Sequence, residues 1–334
     1  MVLLWGLLSP EMQREQRPNF YASAGYLDTV SLVYFSGKTT AVEEVCVADR
    51  VLRLLVVDGR QVITQVPFLD YHEPIRTGGS RAHCRSHQYV EMVAQNVVSY
   101  DEWFAGSFSD YVPGPFVDWT MFASFDDFMN HIKPRGKDLL REAARRRRKL
   151  ATDFGALSFS MDDTREDVLP NAIQWKGAQL RETGLTDIFL NPKNIEFFHE
   201  LRLRGLLTAS TLRANDRLLS AWLGFVHDGV WSGWIFTYDH DPLLKKYSVG
   251  RQLLHSMLEE GLRQGHREFD FSTGDEAYKW LYSTHARVLG PLGTPPLRQR
   301  LCSDAKRLAK TLLTRYPTAM DLSQTLVRYV RNRR

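Results

Sequence analysis

The 334-residue sequence contains only three cysteines, Cys46, Cys84 and Cys302, too far apart for a disulfide framework or a thiolate metal site. This argues against a secreted, disulfide-held protein and fits a reducing, cytoplasmic setting. Long apolar runs are also missing. Nothing approaches the roughly 20 residues that a membrane-spanning helix needs, so no stable membrane insertion is expected. The opening MVLLWGLLSP has no basic residues ahead of a short apolar run and reads poorly as a secretory signal. No His/Cys/Asp/Glu cluster has metal-ligand spacing, so no metal is expected, and no local Ser-His-Asp or Cys-His signature points to covalent catalysis.

What is present is ordinary globular usage, with 43% hydrophobic and 25% charged residues and length enough for two domains. The net charge of +4 hides a segregation: residues 133–150 hold nine Lys/Arg against two acids, and residues 305–334 hold eight against one. An anionic partner should therefore meet local patches rather than the whole surface.

Residues 43–71 alternate β-branched runs with Ala48-Asp49 and Asp58-Gly59, the pattern of an antiparallel meander. At 87–98 the spacing of Tyr89, Val90, Val93 and Val97 predicts a helix, and 107–122 reads as loop with a short strand. Ser124 caps a helix that Pro134 or Gly136 should break before a second, strongly basic helix ending at Gly155. Two further helices follow from 165, the second with Asn191 as N-cap, Pro192 at its first position and Gly205 beyond its end. A second meander then turns at Asn215-Asp216 and Asp228-Gly229, repeating the first pattern about 170 residues later, as an internal duplication of fold would.

The most informative stretch is 238–285. Leu253, Leu254, Met257, Leu258 and Leu262 form one stripe of a helix over 250–264, ended by Gly265. Its first turn lies beside Lys245, Lys246, Ser248 and Gly250, either an anion site built from free amides and the helix dipole, or an ordinary junction with two solvated lysines. REFDFSTG then forms a strand which, reached through that crossover helix, should pair in parallel with the preceding one.

The order of a tyrosine-rich strand, KKYSVGRQLL, a Gly-ended helix, FDF, a glycine and YKWLY resembles the GNAT acyltransferase superfamily. The closest likeness is to its BioF2-like or CelD-like branch, related to the FemABX aminoacyl transferases. The resemblance covers nearly the whole chain and is strongest at 165–285. It implies an α/β fold of two tandem GNAT-like domains, each a mixed, mostly antiparallel sheet flanked by helices. Residues 1–160, with the basic helix, would form the acceptor side, 161–300 the acyltransferase domain and 301–334 a basic helical tail. KKYSVGR is poorer in Gly and Arg than the usual GNAT phosphate loop.

By that resemblance two parallel strands splay apart and Phe236, Thr237 and Tyr238 contact an acyl-CoA, such as acetyl-CoA, while Lys246, Ser248, Val249, Gly250 and Arg251 hold its phosphates. The reading requires those amides to be unbonded and the gap between the strands to be open. Asp270, Glu276, Tyr278 and Lys279 crowd the reacting end; Lys279 matches the lysine of the family's YK motif, Tyr278 or Tyr282 could protonate the leaving thiolate, and Glu276 could accept the amine's proton. Each also has a structural reading, as loop anchor, surface pair or core. Asp70 and Tyr71, from a DY string that the family shares, and Trp175, Lys176 and Gln179 are candidate acceptor contacts, with interdomain packing as the alternative. His227, His240 and His285 read as loop histidines as readily as bases.

The implied activity is N-acylation of an amine on a sugar or other small intermediate. A tRNA or acyl carrier protein is the alternative donor, as for FemABX enzymes, and a silent RNA- or anion-binding module is the reading from another class. Arg145, Arg146, Arg147 and Arg148 are consecutive and point all round their helix, which favours solvation or acid pairing over a dedicated groove reader.

Overall fold

The computed structural model describes residues 19–75, 83–84 and 88–296; the expectations for the first ten residues and for the basic tail lie outside them. The elements in chain order are α1 (Ala24–Tyr34), β1 (Thr40–Val47), β2 (Arg50–Val57), β3 (Gln61–Ile63), β4 (His83–Cys84), β5 (Tyr89–Ser99), α2 (Tyr100–Ala105), β6 (Val112–Asp118), α3 (Phe125–Phe154) and β7 (Leu157–Ser160). There follow α4 (Val168–Glu182), α5 (Pro192–Leu203), β8 (Thr208–Ala214), β9 (Arg217–His227), β10 (Val230–Tyr238), α6 (Val249–Arg263), β11 (Glu268–Asp270), α7 (Ala277–Tyr282) and β12 (His285–Gly293). Helix starts obey local chemistry. Ser124 accepts the Asp127 amide, and Asn191 accepts that of Lys193 with Pro192 behind it. α3 is interrupted at Gly136, whose φ of −165° and ψ of 41° leave the helical region, as the sequence suggests.

The fold is mixed α/β, with mostly antiparallel sheets flanked by helices. A four-stranded sheet has the order β3-β2-β1-β4, and an eight-stranded one the order β5-β12-β6-β11-β10-β9-β8-β7. In the larger sheet β10 and β11 pair in parallel and every other neighbour is antiparallel. The larger sheet takes strands from both sides of residue 160. Its two faces are covered separately: Phe225 and Ile235 pack in one core with α1, α4 and Phe197 and Phe198 of α5, while Leu219, Trp222 and Phe269 pack in another with α3 and Leu253 of α6.

One element differs from expectation. Residues 87–98 are not helical but form strand β5, paired along its length with β12. Register shifts opposite Val288/Leu289 and Gly290/Leu292 break the strict alternation, so that Val93 and Ala94 are both buried and the apolar spacing imitates a helix. β12 itself has no counterpart in the sequence reading.

Between β3 and β4 the chain runs back along β5: the His72 amide bonds to Met92 O and the Ala94 amide to His72 O. This stitch brings Asp70, Tyr71 and Glu73 against the larger sheet. Phe197, fully buried among Tyr26, Phe68, Phe198 and Trp234, anchors the helical layer above it. Phe197→Ala should lower stability by about 3–5 kcal/mol with an unchanged m-value in urea denaturation.

Candidate active site

β10 and β11 share a ladder over only three residue pairs, Val230–Glu268, Trp231–Phe269 and Ser232–Asp270. Beyond them β10 continues to Tyr238 paired with β9 on one side, while the chain leaves β11 for the turn at 271–276. The result is a wedge that opens from Gly233. At its apex β10 bulges against β9 between Gly233 and Ile235, and Trp234 and Ile235 both pack into the layer under α4 and α5. Ser232 and Thr237 on this strand are buried with hydroxyls that have no hydrogen-bond partner.

Helix α6 begins behind the wedge. Ser248 holds a left-handed backbone (φ 53°, ψ 52°), and the first helical amide to find a backbone carbonyl is that of Gln252, on Ser248 O at 3.2 Å. The amides of Val249, Gly250 and Arg251 meet no backbone acceptor among the described residues. Phe236 lies over this turn, so close that a Cβ on Gly250 would stand 2.5 Å from its ring. The basic helix reaches the same place. Arg146 donates to Ser248 Oγ at 2.6 Å while paired with Glu142 at 2.9 Å, and Gln252 donates to Ala143 O at 3.0 Å. Lys246 is exposed over the Tyr247 ring, whose hydroxyl bonds to Asp153.

At the apex stands a buried polar centre assembled from both halves of the chain. The Tyr71 hydroxyl donates to Asp270 Oδ2 at 2.8 Å, and Asp270 Oδ1 accepts the Ser272 amide at 2.8 Å. Asp70 Oδ2 accepts the hydroxyls of Tyr21 (2.6 Å) and Ser272 (2.5 Å). Burial pushes the Asp70 carboxyl up to about 6, against the opposing pull of the Ser272 and Tyr21 hydroxyls. Ser272 holds φ at 61°, a strained conformation that aims its amide at one carboxylate and its hydroxyl at the other.

Lys279 is buried, with Nζ 2.9 Å from Glu276 Oε2 and bonded to Thr273 O. Gly274 makes that fold-back possible. Its φ is 124°, and a Cβ there would meet the Glu276 carboxylate at 2.4 Å. The Tyr278 ring stands at the mouth of the wedge, 6.2 Å from Phe236 and 6.3 Å from Phe271, and burial raises its hydroxyl pKa. Lys176, bonded to Gln179 at 3.2 Å, comes near Glu276 and Lys279; burial, above all, lowers its ammonium pKa.

Not every candidate joins this group. Tyr238 is exposed at the far end of β10 beside His240, and Trp175 is half-buried on α4 with no contact to the centre. Tyr282 bonds to His255 at 2.6 Å, away from the wedge, and His240 faces Glu182. His285 stacks on Phe116. The sequence reading missed Tyr21, Arg146, Ser272 and Arg287. Arg146 was visible only as one of four consecutive arginines, Ser272 lay unremarked inside FDFSTG, and Arg287 sits on a strand that had not been recognised.

Residues 139–280 match the family described as the acetyltransferase (GNAT) domain. That segment is a GNAT-type acetyltransferase domain. It runs from within α3 to α7 and holds the wedge, the α6 turn, Asp270 and Lys279. Among solved structures, FemX aligns at 9% identity over 82% of this chain and 91% of its own, with a TM-score of 0.50. The C-terminal domain (DUF2156) of a putative lysylphosphatidylglycerol synthetase from Agrobacterium fabrum aligns at 10% identity over 87% and 96%, with a TM-score of 0.44. L-PGS from Bacillus licheniformis aligns at 11% over 90% and 98%, with a TM-score of 0.43. At such identity the FemX likeness is one of fold. No curated protein matches the chain. The match over 139–280 nevertheless gives this segment the fold of a GNAT acyltransferase. Among the described residues no helix is long and apolar enough to cross a membrane, and no group of three or more side chains is arranged to hold a metal.

The Asp70 geometry sets a pH dependence. Its folded pKa, about 6, exceeds the ordinary 3.8, so the folded state binds the extra proton between those values. The stability it contributes is therefore present below about pH 4 and lost as pH rises through about 6, on the order of 3 kcal/mol in all. Asp70→Asn should accordingly raise Tm at pH 7.5 relative to wild type, with the difference closing at pH 4; scanning calorimetry at both values measures it.

Proposed function

We propose that the protein transfers an acyl group from a coenzyme A thioester directly to an amine of a sugar or another small intermediate. The observation that carries this is the wedge between β10 and β11 with the unbonded amides of Val249, Gly250 and Arg251 behind it. In this reading those amides, with Arg146 and Lys246, hold the diphosphate, because free N–H donors, the helix dipole and two cations converge there. The open edge of β10, from Phe236 to Tyr238, takes the pantetheine arm, and the unsatisfied Ser232 and Thr237 hydroxyls support a polar ligand along it. Residues before about 160 supply the acceptor side through Asp70 and Tyr71, and Lys176 and Gln179 complete it. The cytoplasmic setting rests on cysteine usage.

The chemistry then follows from the apex. The neutral amine attacks the thioester carbonyl, the new C–N bond forms and the C–S bond breaks. The amine's proton passes to the Asp70 carboxylate, whose raised pKa suits it to general-base work near neutrality. Asp270 holds Tyr71, and through Ser272 both carboxylates keep fixed positions. The Lys279 ammonium stabilises negative charge on the carbonyl oxygen, with Glu276 positioning it, and the Tyr278 hydroxyl gives its proton to the departing thiolate. The Tyr21 and Ser272 hydroxyls favour the ionised form of Asp70 and so keep it usable as a base.

A panel of acyl-CoA donors should raise Tm, acetyl-CoA included. Lys279→Ala should cut thiol release by at least about tenfold without loss of fold, and Glu276→Gln by less; wild-type rates in both would move the chemistry elsewhere. Arg146→Ala should weaken CoA binding by about 5–50-fold at low salt and flatten its salt dependence, measured by calorimetry. A tRNA-borne donor is the second reading, favoured by exposed Arg145, Arg148 and Lys149 beside the same turn. Steeply salt-sensitive tRNA binding without a CoA effect would favour it, or, with no acyl transfer at all, a binding module.

A further inference from the structure

On the opposite side of the Ser232–Asp270 pairing from the wedge lies a cavity of about 840 Å³, bounded by the Asp70–Glu73 stitch, β5 and the start of β11. Asp270 lines it, so the cavity and the reacting apex share a carboxylate. Its floor is Arg287 on β12. This guanidinium, 4% exposed, donates to Glu268 at 2.5 Å and to Glu73 at 3.3 Å, and lies 3.8 Å from Asp270. Tyr71 and Phe116 face it at 5.2 and 4.4 Å. Arg267 also lies 3.8 Å from Glu268, so among the described residues three carboxylates share two guanidiniums and the group keeps an excess of negative charge in a setting that water screens poorly.

The unused atoms of Arg287 and Glu73 are one donor and one acceptor, and only the acceptor, on Glu73, is on the more accessible side chain. Arg287 Nη1 has no hydrogen-bond partner, and the one Glu73 oxygen that is bonded is Oε1; its other oxygen has no partner among the described residues. The Glu73 side chain is 35% exposed, the most accessible of the three carboxylates. Burial raises the Glu73 pKa, with Arg287 pulling it back, as for a carboxyl with less positive charge near it than its burial calls for.

Resting on the acyltransferase reading, we infer that this cavity, which Tyr71 lines and Lys176 and Gln179 do not, receives the acceptor as a cationic amine without a carboxylate, held by one positive charge at Glu73 while the amino group that reacts is presented at Asp270. An amino acid is disfavoured here, since its carboxylate would face Glu73, Glu268 and Asp270, and the one unbonded nitrogen of Arg287, Nη1, lies on the Asp270 side, 3.8 Å from Oδ1. Donor and acceptor thus approach the apex from opposite faces of the sheet. The amino group that reacts gives up its proton before attack to the Asp270–Asp70 pair that Ser272 bridges, Asp270 being the member that lines this cavity, and the charge that Glu73 holds is not consumed.

Calorimetric titration of the full chain with putrescine and with ornithine, which share both amino groups and differ by one carboxylate, tests this without a donor. Putrescine is expected to bind at least tenfold more tightly. Glu73→Gln should bring the two within about threefold of one another, and Val97→Trp, at the exposed rim of the cavity and opposite Arg287 in the β5–β12 ladder, should weaken putrescine by filling the space beside that guanidinium. Equal or reversed affinities, no binding of putrescine, or a preference that survives both substitutions would overturn the inference. Titration with coenzyme A is run in parallel. Its failure, with the amine preference intact, would count against the donor assignment and leave the acceptor site standing.

Discussion

Parallel pairing that stops after three residues is the constraint from which the rest of the molecule follows. Strand edges are normally bonded or solvated, because a buried N–H or C=O without a partner costs about 1–3 kcal/mol. Here an interior strand has an unpaired edge from Gly233 onward, and the surroundings keep it so. The bulge at Gly233 turns β10 away, the Phe236 ring against Gly250 holds α6 behind it, and α3 fixes α6 through Ala143, Arg146 and Gln252. The basic helix is acid-paired, as its sequence suggests, but it is also structural: Glu142 takes up Arg145 and Arg146, and holds Arg146 where it reaches Ser248.

A second constraint is electrostatic. Asp70, Glu73, Glu268 and Asp270 lie close together with Arg287, Arg267 and Lys279 as cations beside them. A buried charge is tolerable only when hydrogen-bonded, and the hydroxyls of Tyr21, Tyr71 and Ser272 supply what the cations do not. The same arrangement that destabilises the ionised form of Asp70 is what suits it, in the proposed transfer, to accept a proton near neutrality. Stability and chemistry are opposed at that residue.

Much of this was legible in the sequence. The second meander, the α6 stripe, the Asn191-Pro192 helix start, the break at Gly136 and the parallel return of FDF all appear where local pattern puts them, because each is decided by neighbours in sequence. Asp70, Tyr71, Asp270 and Lys279 could be chosen as chemistry-bearing types, but not joined, since 199 residues separate Tyr71 from Asp270. β5 was misread and β12 missed for one reason: each finds its register in the other, and the register shifts between them erase the period-two signal that either would show alone. Arg287 went with β12.

The position of that last strand has a further consequence for how the chain is made. β12 lies between β5 and β6, so during synthesis these two strands wait, with the place between them empty, until residues 285–293 emerge from the ribosome. Their facing edges are then open to pairing with another nascent chain for the time needed to translate nearly 170 residues after β6. Folding must be slow relative to its many local helices, and the step that ends the wait also delivers Arg287 to its carboxylates; until then those carboxylates lack that guanidinium.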